Sequence, residues 1–159
     1  MLPTEFKSIE KSLNAAITES LPKGSLRDNP FFDLLQRELL DYFNGTLKEF
    51  TVPLHPVGTL FQQKVWKELM NIPYGTTRSY KQQALALGNL AAIRAVAGAN
   101  GMNKIAIIIP CHRVIGDNGQ LVGYGGGLWR KKWLLELEKR HTTSSHQSIT
   151  ATQQSLFSV

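Results

Sequence analysis

Two capping boxes and one glycine turn constrain this chain more than any other feature. Thr59 with Gln62, and Ser79 with Gln82, each place a hydroxyl and an amide three residues apart. At that spacing the two side chains satisfy opposite ends of a helix's first turn. The first box opens a helix through Val65, Trp66 and Leu69. The second opens one from Tyr80 to about Leu87, which Gly88-Asn89 stops in a tight turn. Asn89 then caps a third helix, Leu90 to about Ala99. Two short helices joined by a tight turn make a helix-turn-helix, a unit that also serves as plain packing.

The second helix of that pair has two faces. At about 100° per residue, Leu90, Ile93, Val96 and Ala97 cluster on one side and are expected in the core. Ala91, Arg94, Ala95, Gly98 and Ala99 cluster on another. That face is made of very small side chains around one long cation. Close helix packing would use the same small residues, but a guanidinium packed inside needs a carboxylate. A nucleic-acid groove suits both the small residues and Arg94.

Ile105 to Ile109 is a short apolar run, four of its five residues β-branched, and is expected to form a buried strand. Pro110 ends the pairing, since proline donates nothing to a sheet ladder. Cys111 follows, the only cysteine of the chain, with His112 and Arg113 beside it. Most free cysteines are buried and inert. A thiol next to a base and a cation also fits an activated nucleophile. Both readings stand at this point. Val114-Ile115 and Leu121-Val122 flank Gly116-Asp-Asn-Gly119, a hairpin signal. Gly123 to Gly127 is a flexible loop around Tyr124, without the strand and helix that frame a dinucleotide site.

Elsewhere the pattern is simpler. Residues 1–28 hold at most a short amphipathic helix (Ile9, Leu13, Ala16, Ile17) broken by Pro22-Lys23-Gly24. Asn29 and Pro30 open a helix over about 30–44, with Phe32, Leu35, Leu39 and Phe43 on one stripe and Gly45 as its stop. Residues 46–58 read as an extended linker, in which His55 has no assigned role. The last helix runs from Leu128 to Arg140. Lys131, Leu134, Leu135 and Glu138 share one side, so Glu138 faces inward and needs a partner, for which His112 is the candidate. Arg130, Lys131 and Lys132 add to a basic surface near Trp129 and Trp133. Residues 141–159 are rich in Ser, Thr, Gln and His and are expected to be a flexible tail.

Charge divides the chain. Met1 to Gly75 holds eight Lys/Arg and nine Asp/Glu, whereas Thr76 to Val159 holds ten Lys/Arg and three Asp/Glu. The whole positive excess lies in the half with Cys111, the footprint of a polyanion partner. No apolar stretch approaches a membrane span, and the first residues do not read as a signal peptide. A single cysteine forbids an internal disulfide. A reducing, cytoplasmic setting is expected, with no metal and no cofactor.

From about Phe61 to Glu138 the chain resembles the O6-alkylguanine-DNA alkyltransferases. Pro110-Cys111-His112-Arg113-Val114-Ile115 matches their active-site signature. Tyr80, Ala92-Ile93-Arg94-Ala95-Val96, Asn103 and Tyr124 with its glycines and Leu128 extend the match. A related group in that family lacks the cysteine; Cys111 is present here. The resemblance implies an α+β, mostly helical fold: a winged-helix-like helix-turn-helix domain over 58–140 that holds both DNA-binding and active-site residues. Residues 1–57 would be a shortened N-terminal region.

It implies that Cys111 takes the alkyl group from guanine O6, once and irreversibly. His112 would be a base acting through water, Glu138 its orienter and Tyr80 a proton donor, while Asn103 would bridge the helix pair and the active-site segment. Arg94 would replace a nucleotide flipped out of duplex DNA, with the helix in the minor groove. Ala91, Ala95, Gly98, Arg113 and Ser79 are further expected DNA contacts, and Tyr124, Gly125, Val114 and Pro110 the expected substrate pocket. The structural zinc of some members is not expected. The protein would act as a monomer in the bacterial cytoplasm, at the nucleoid. Two rival functions remain: a lesion-sensing or regulatory DNA-binding module without transfer, and a Cys-His hydrolase or thiol transferase acting on small molecules. Separately, Gln153 to Phe157 resembles the short peptides that dock on bacterial sliding clamps.

Overall fold

The structure, a computed structural model, describes residues 29–155, with side chains described for residues 29–143. The expected helix around Ile9–Ile17 and the tail residues Leu156 and Phe157 lie outside the described residues.

Local signals place most elements. Helix α1 spans Pro30–Asn44; the Asn29 side chain accepts from Phe31 N, and Gly45 closes the helix at φ 78°. Its buried residues are Glu38 and Tyr42, whereas Phe32 is 37% exposed, so the inward face is rotated from the expected apolar stripe. The rotation has a reason. Glu38 accepts from Thr51 N at 3.0 Å, from Val52 N at 3.1 Å and from the Thr51 hydroxyl, tying the extended segment after α1 to the helix. Helix α2 spans Leu60–Met70 and α3 spans Tyr80–Ala86, each opened by a complete capping box.

After Gly88, at φ 76°, Asn89 caps a single 3-10 turn (Leu90–Ala92) that leads into α4, Ile93–Gly101. The helix-turn-helix is thus present, with its second helix starting one turn late. Asn100 Nδ2 donates to Gln83 Oε1 at 2.7 Å across the pair, and both residues are buried. Trp66 Nε1 donates to Ala99 O at 2.8 Å, docking α2 on the same unit. Two placements differ from expectation: Ala99 is buried, because Trp66 covers it, and Leu90 is 44% exposed, because the 3-10 turn swings it outward.

The run Ile105–Ile109 is not a buried strand. It forms a compact loop with a single bridge between Ala106 and Ile109 and an Ile109 N–H to Ile105 O bond of 3.0 Å. Ile107 sits at φ 76°, a strained conformation for a β-branched residue. A strand needs a neighbouring edge, and the sheet here is minimal: β1 (Arg78–Ser79) pairs in parallel with β2 (Val114–Ile115). β2 therefore does not pair with Leu121-Val122. The expected turn at residues 116–119 forms, closed by Gly116 N to Gln120 O at 2.8 Å, but it returns no second strand.

The core of the helix-turn-helix holds Val65, Trp66, Leu69, Ile72, Ala84, Val96, Ile109 and Val114, with Cys111 among them. A second cluster joins Tyr42 to Leu134 and Leu137 of the last helix. That helix, α5, runs Leu128–Ser155, well past the expected end at Arg140. Hydroxyls of Thr142 and Thr143 bond back to the carbonyls of Glu138 and Lys139, and His141 Nδ1 lies 3.4 Å from Tyr74 Oη.

The Glu38 strap gives a stability prediction. Glu38→Ala leaves the Thr51 and Val52 N–H groups without their acceptor and is expected to cost about 2 kcal/mol in urea unfolding. Glu38→Gln keeps one carbonyl oxygen and should lose less; equal losses would mean that the strap contributes nothing through its hydrogen bonds.

Candidate active site and nucleic-acid face

Cys111 is the first residue of a 3-10 turn, Cys111–Arg113, which delivers the chain into β2. The thiol is almost fully enclosed, at 7% exposure. Asn103, just past α4, donates from Nδ2 to Cys111 Sγ at 3.2 Å and to Ile109 O at 2.8 Å. The same side chain accepts from Ile105 N at 3.0 Å, so one amide fixes the loop and the sulfur together. Burial pushes the Cys111 pKa up, against the opposing pull of the Asn103 hydrogen bond and the Lys131 charge. At rest the group is a thiol.

His112 is fully buried, with Nε2 at 2.8 Å from Glu138 Oε1. Its Nδ1 is buried with no hydrogen-bond partner among the described residues. Burial lowers the pKa of His112, and Arg113 and Lys131 act in the same direction, against the pull of Glu138. The ring is therefore neutral. With the Nε2 proton given to Glu138, Nδ1 carries a bare lone pair.

Glu138, also fully buried, is the most heavily bonded group in the site. It accepts from His112 Nε2, from Arg113 Nη2 at 2.9 Å and Nε at 3.1 Å, from Gly75 N at 2.9 Å and from Tyr42 Oη at 2.7 Å. Burial alone would raise its pKa; the hydrogen bonds from His112 and Arg113, with the Arg113 charge, outweigh that and hold it at about 2. The pairing of Glu138 with His112 expected from helical spacing is present. The contributions of Tyr42 and Gly75 were not legible in the sequence.

Three expected site residues sit elsewhere. Arg113, expected to contact DNA, is buried: it pairs with Glu138, donates from Nη1 to Ile72 O at 2.7 Å and lies over the Tyr74 ring. Ser79, also expected at DNA, is 7% exposed and occupied, accepting from Gln82 N and donating to Asp117 Oδ1 at 3.0 Å. Val114, expected in the substrate pocket, is fully buried in the core and paired with Arg78, so it offers a ligand no surface. Pro110 is buried at the N-cap of the Cys111 turn.

Tyr80 and Tyr124 pack against the core cluster that holds Cys111, and Gly125 follows Tyr124 in the same loop. Burial raises the pKa of both tyrosines, and proximity to Cys111 adds to it, taking Tyr124 to about 12. A Cβ on Gly126 would come within 2.8 Å of the Tyr124 ring, so the loop needs its glycine there. Tyr80 Oη reaches the carbonyls of Gly123 and Val122 at 3.3 and 3.4 Å. The same two carbonyls accept from Lys131 Nζ at 3.1 and 2.6 Å. Lys131, expected as part of a basic surface, is fully buried, and burial lowers its pKa to about 8.

A cleft of about 480 Å³ opens beside Tyr80, lined also by Lys81, Ile93, Arg94, Ala97, Asp117, Val122 and Gly123. Along α4 the residues Ala91, Arg94, Ala95 and Gly98 are all exposed, and a Cβ at Gly98 would meet nothing within 4 Å. The small face is therefore open and not spent on packing. Among the described residues, no three His, Cys, Asp or Glu side chains cluster as metal ligands, and no helix is long and apolar enough to cross a membrane.

The chain is similar to known proteins over much of its length. Residues 60–140 match the family model of the 6-O-methylguanine DNA methyltransferase DNA-binding domain. The methylated-DNA–protein-cysteine methyltransferase of Mycobacterium tuberculosis (strain H37Rv) is 61% identical over 136 residues, 86% of this chain and 79% of that protein. The protein of the same name from Mycobacterium leprae is 54% identical over 122 residues, covering 77% and 74%. The crystal structure of M. tuberculosis OGT in complex with DNA aligns with a TM-score of 0.68 at 57% identity, covering 69% of this chain and 68% of that one. An O6-methylguanine-DNA methyltransferase from Pyrococcus kodakaraensis aligns at 0.60 with 30% identity, covering 84% and 78%.

Glu138 gives this site a pH signature. Its pKa is about 2 when folded against an ordinary 4.5, so across that interval the unfolded chain binds more protons than the folded one. Its contribution to stability is complete above the ordinary value and is lost as pH falls towards the folded one. Glu138→Gln should be less stable at neutral pH, because the Arg113 charge stays buried without its counter-ion. It should also lose less on acidification than the wild type. Chemical unfolding at a series of pH values reads both; parallel acid losses would remove Glu138 as the source.

Proposed function

The chain belongs to the 6-O-methylguanine DNA methyltransferase family and is a DNA repair alkyltransferase, and we propose from its geometry that Cys111 is the acceptor and His112, Glu138, Asn103 and Tyr80 its working partners. The observation that carries the assignment is the His112 ring, with Nε2 fixed by Glu138 and Nδ1 left bare on the residue next to the nucleophile. In the reaction, Sγ attacks the alkyl carbon on guanine O6. The S–C bond forms as the C–O6 bond breaks, with its electron pair moving onto the purine. The thiol proton passes through one water to His112 Nδ1, and Tyr80 Oη donates to the guanine ring. Once the proton taken by His112 has been returned through water to Tyr80, the net change exchanges the thiol hydrogen for the alkyl group and releases guanine in the DNA. Because a thioether is not reversed by any group in the site, each molecule acts once.

The open face of α4 is the DNA contact. Ala91, Ala95 and Gly98 let its backbone approach closely, and Arg94 enters the base stack in place of the flipped nucleotide. A narrow minor groove accommodates such a face. Unstacking costs a few kcal/mol, which Arg94 partly offsets. Lys81 and Arg94 line the same cleft as Tyr80, so a base displaced by the arginine has a short path to the phenol. Tyr124 and Gly125 border the alkyl group. The protein works as a monomer in the bacterial cytoplasm, at the nucleoid. Gln153 to Phe157 docks on the sliding clamp, with Leu156 and Phe157 in an apolar pocket; truncation after Ser145 should abolish clamp binding, and unchanged binding would end that reading.

Two measurements test the core of the proposal. Incubation with duplex DNA containing O6-methylguanine should add the mass of one methylene, as a methyl replaces a hydrogen, and Cys111→Ser should abolish the gain. No gain with DNA binding intact would leave only a lesion-binding module. Arg94→Ala should slow repair in duplex DNA at least about tenfold, as for a lost flipping wedge of about 1.4 kcal/mol or more, and should spare reaction with a free alkylguanine base. Equal slowing on both substrates would remove base flipping from its role.

A further inference from the structure

Tyr42 lies on α1, in the region before the family-matched segment, yet its hydroxyl ends inside the active site. It donates to Glu138 Oε1 at 2.7 Å and lies 3.4 Å from His112 Nε2. Both groups point their protons at the same carboxylate oxygen, which also receives Arg113 Nη2 at 2.9 Å. The ring itself is held by edge and tilted contacts to Phe43, Phe50 and Tyr74, with centroids 5.4, 5.3 and 5.7 Å away. A phenylalanine would satisfy those contacts equally. A hydroxyl buried in such a cluster costs free energy unless it is bonded, so its presence is explained at Glu138.

We propose that Tyr42 is a positioning residue of the transfer reaction: by loading Glu138 Oε1 with a second neutral donor, it weakens that carboxylate as a partner for an imidazolium and so keeps Nδ1 unprotonated as the acceptor. The inference rests on the reading of His112 as the base. The groups that face His112 are Glu138 and Lys131 from α5, Arg113 from its own turn, Cys111 beside it and Tyr42 from α1, with Tyr74 packed over Arg113. Only Glu138 among them favours the imidazolium. Arg113 neutralises its charge, and the Tyr42 hydroxyl occupies part of its lone-pair capacity. Both make the carboxylate a weaker partner for a protonated ring. Burial raises the Tyr42 pKa, as does Glu138, so the phenol stays a donor at every working pH.

Removing the hydroxyl frees Oε1 for His112. The imidazolium is then better stabilised and forms at higher pH, and a protonated Nδ1 accepts nothing from the thiol. In single-turnover transfer from O6-methylguanine duplex, measured from about pH 5 to 8 around the ordinary histidine range, Tyr42→Phe should move the acidic limb upward by about half a unit. That is roughly a threefold loss of rate on the limb. A plateau loss or a lower Tm with the limb unmoved would reduce Tyr42 to a packing residue and overturn the proposal. Nitrogen-15 NMR of His112 in the unmodified protein gives a second check that needs no variant. A proton on Nε2 at neutral pH is expected, and a proton on Nδ1 would overturn it. His112→Ala separates the two levels. If it retains the full rate, the base reading fails; if it is inactive while Tyr42→Phe keeps its limb, only the present inference fails.

Discussion

A single buried carboxylate organises this molecule. Glu138 draws donors from the turn after Cys111, from Gly75 in the loop after α2 and from Tyr42 on α1, partners 25 to 96 residues away in sequence. An ionised carboxylate in a protein interior costs several kcal/mol even after relaxation, and it persists only when its lone pairs are used and a counter-charge is near. That requirement explains Arg113 better than any surface role does. Its guanidinium neutralises Glu138 and spends a further proton on Ile72 O. The charge pair is thereby closed on itself, and His112 is oriented by a carboxylate whose field is already largely cancelled.

The sulfur is correspondingly quiet at rest. Burial holds Cys111 as a thiol and His112 as a neutral imidazole. A standing thiolate would react with any oxidant or stray electrophile that reached it, and an acceptor that is used once has no means of recovery. In the proposed reaction the thiolate forms only when its proton has a route to Nδ1 and an electrophilic carbon is in place. Asn103 and Lys131 are positioned to help at that moment, one by a hydrogen bond to Sγ and the other by its charge. The same burial that makes the resting thiol unreactive means that these two groups act through a medium that screens them little.

The parts legible in the sequence were those encoded locally. Capping boxes, the Asn29–Pro30 start and the Gly88 turn involve residues within four positions of one another, and all formed as expected. Helical spacing placed Glu138 inward, and the need of a buried carboxylate for a partner pointed to His112. What failed depended on distant partners. Four isoleucines read as a strand, but among the described residues no sheet edge pairs with them, and Asn103 holds the segment in a loop instead. Arg113 and Ser79 read as surface residues because their polar partners, Glu138 and Asp117, are remote in sequence. Tyr42 carried no signal at all, since a tyrosine on an amphipathic helix is ordinary core material until the carboxylate opposite it is known.

The nucleic-acid face obeys a different logic, one of omission. Gly98 touches nothing that would forbid a side chain, so its smallness is not set by packing inside the protein. It fits the close approach to DNA proposed for the backbone of α4. Such a face works only if the helix behind it is rigid, because a backbone that yields cannot hold an arginine in a base stack. The buried Gln83–Asn100 pair and the Trp66 bond to Ala99 O supply that rigidity from the opposite side of the helix. Asn103 follows directly at the end of α4 and ends on Sγ. On the proposed reading the Arg94 wedge and the Cys111 nucleophile are joined through one stiff element, so that the depth to which Arg94 enters the DNA would also set where the displaced base meets the thiol.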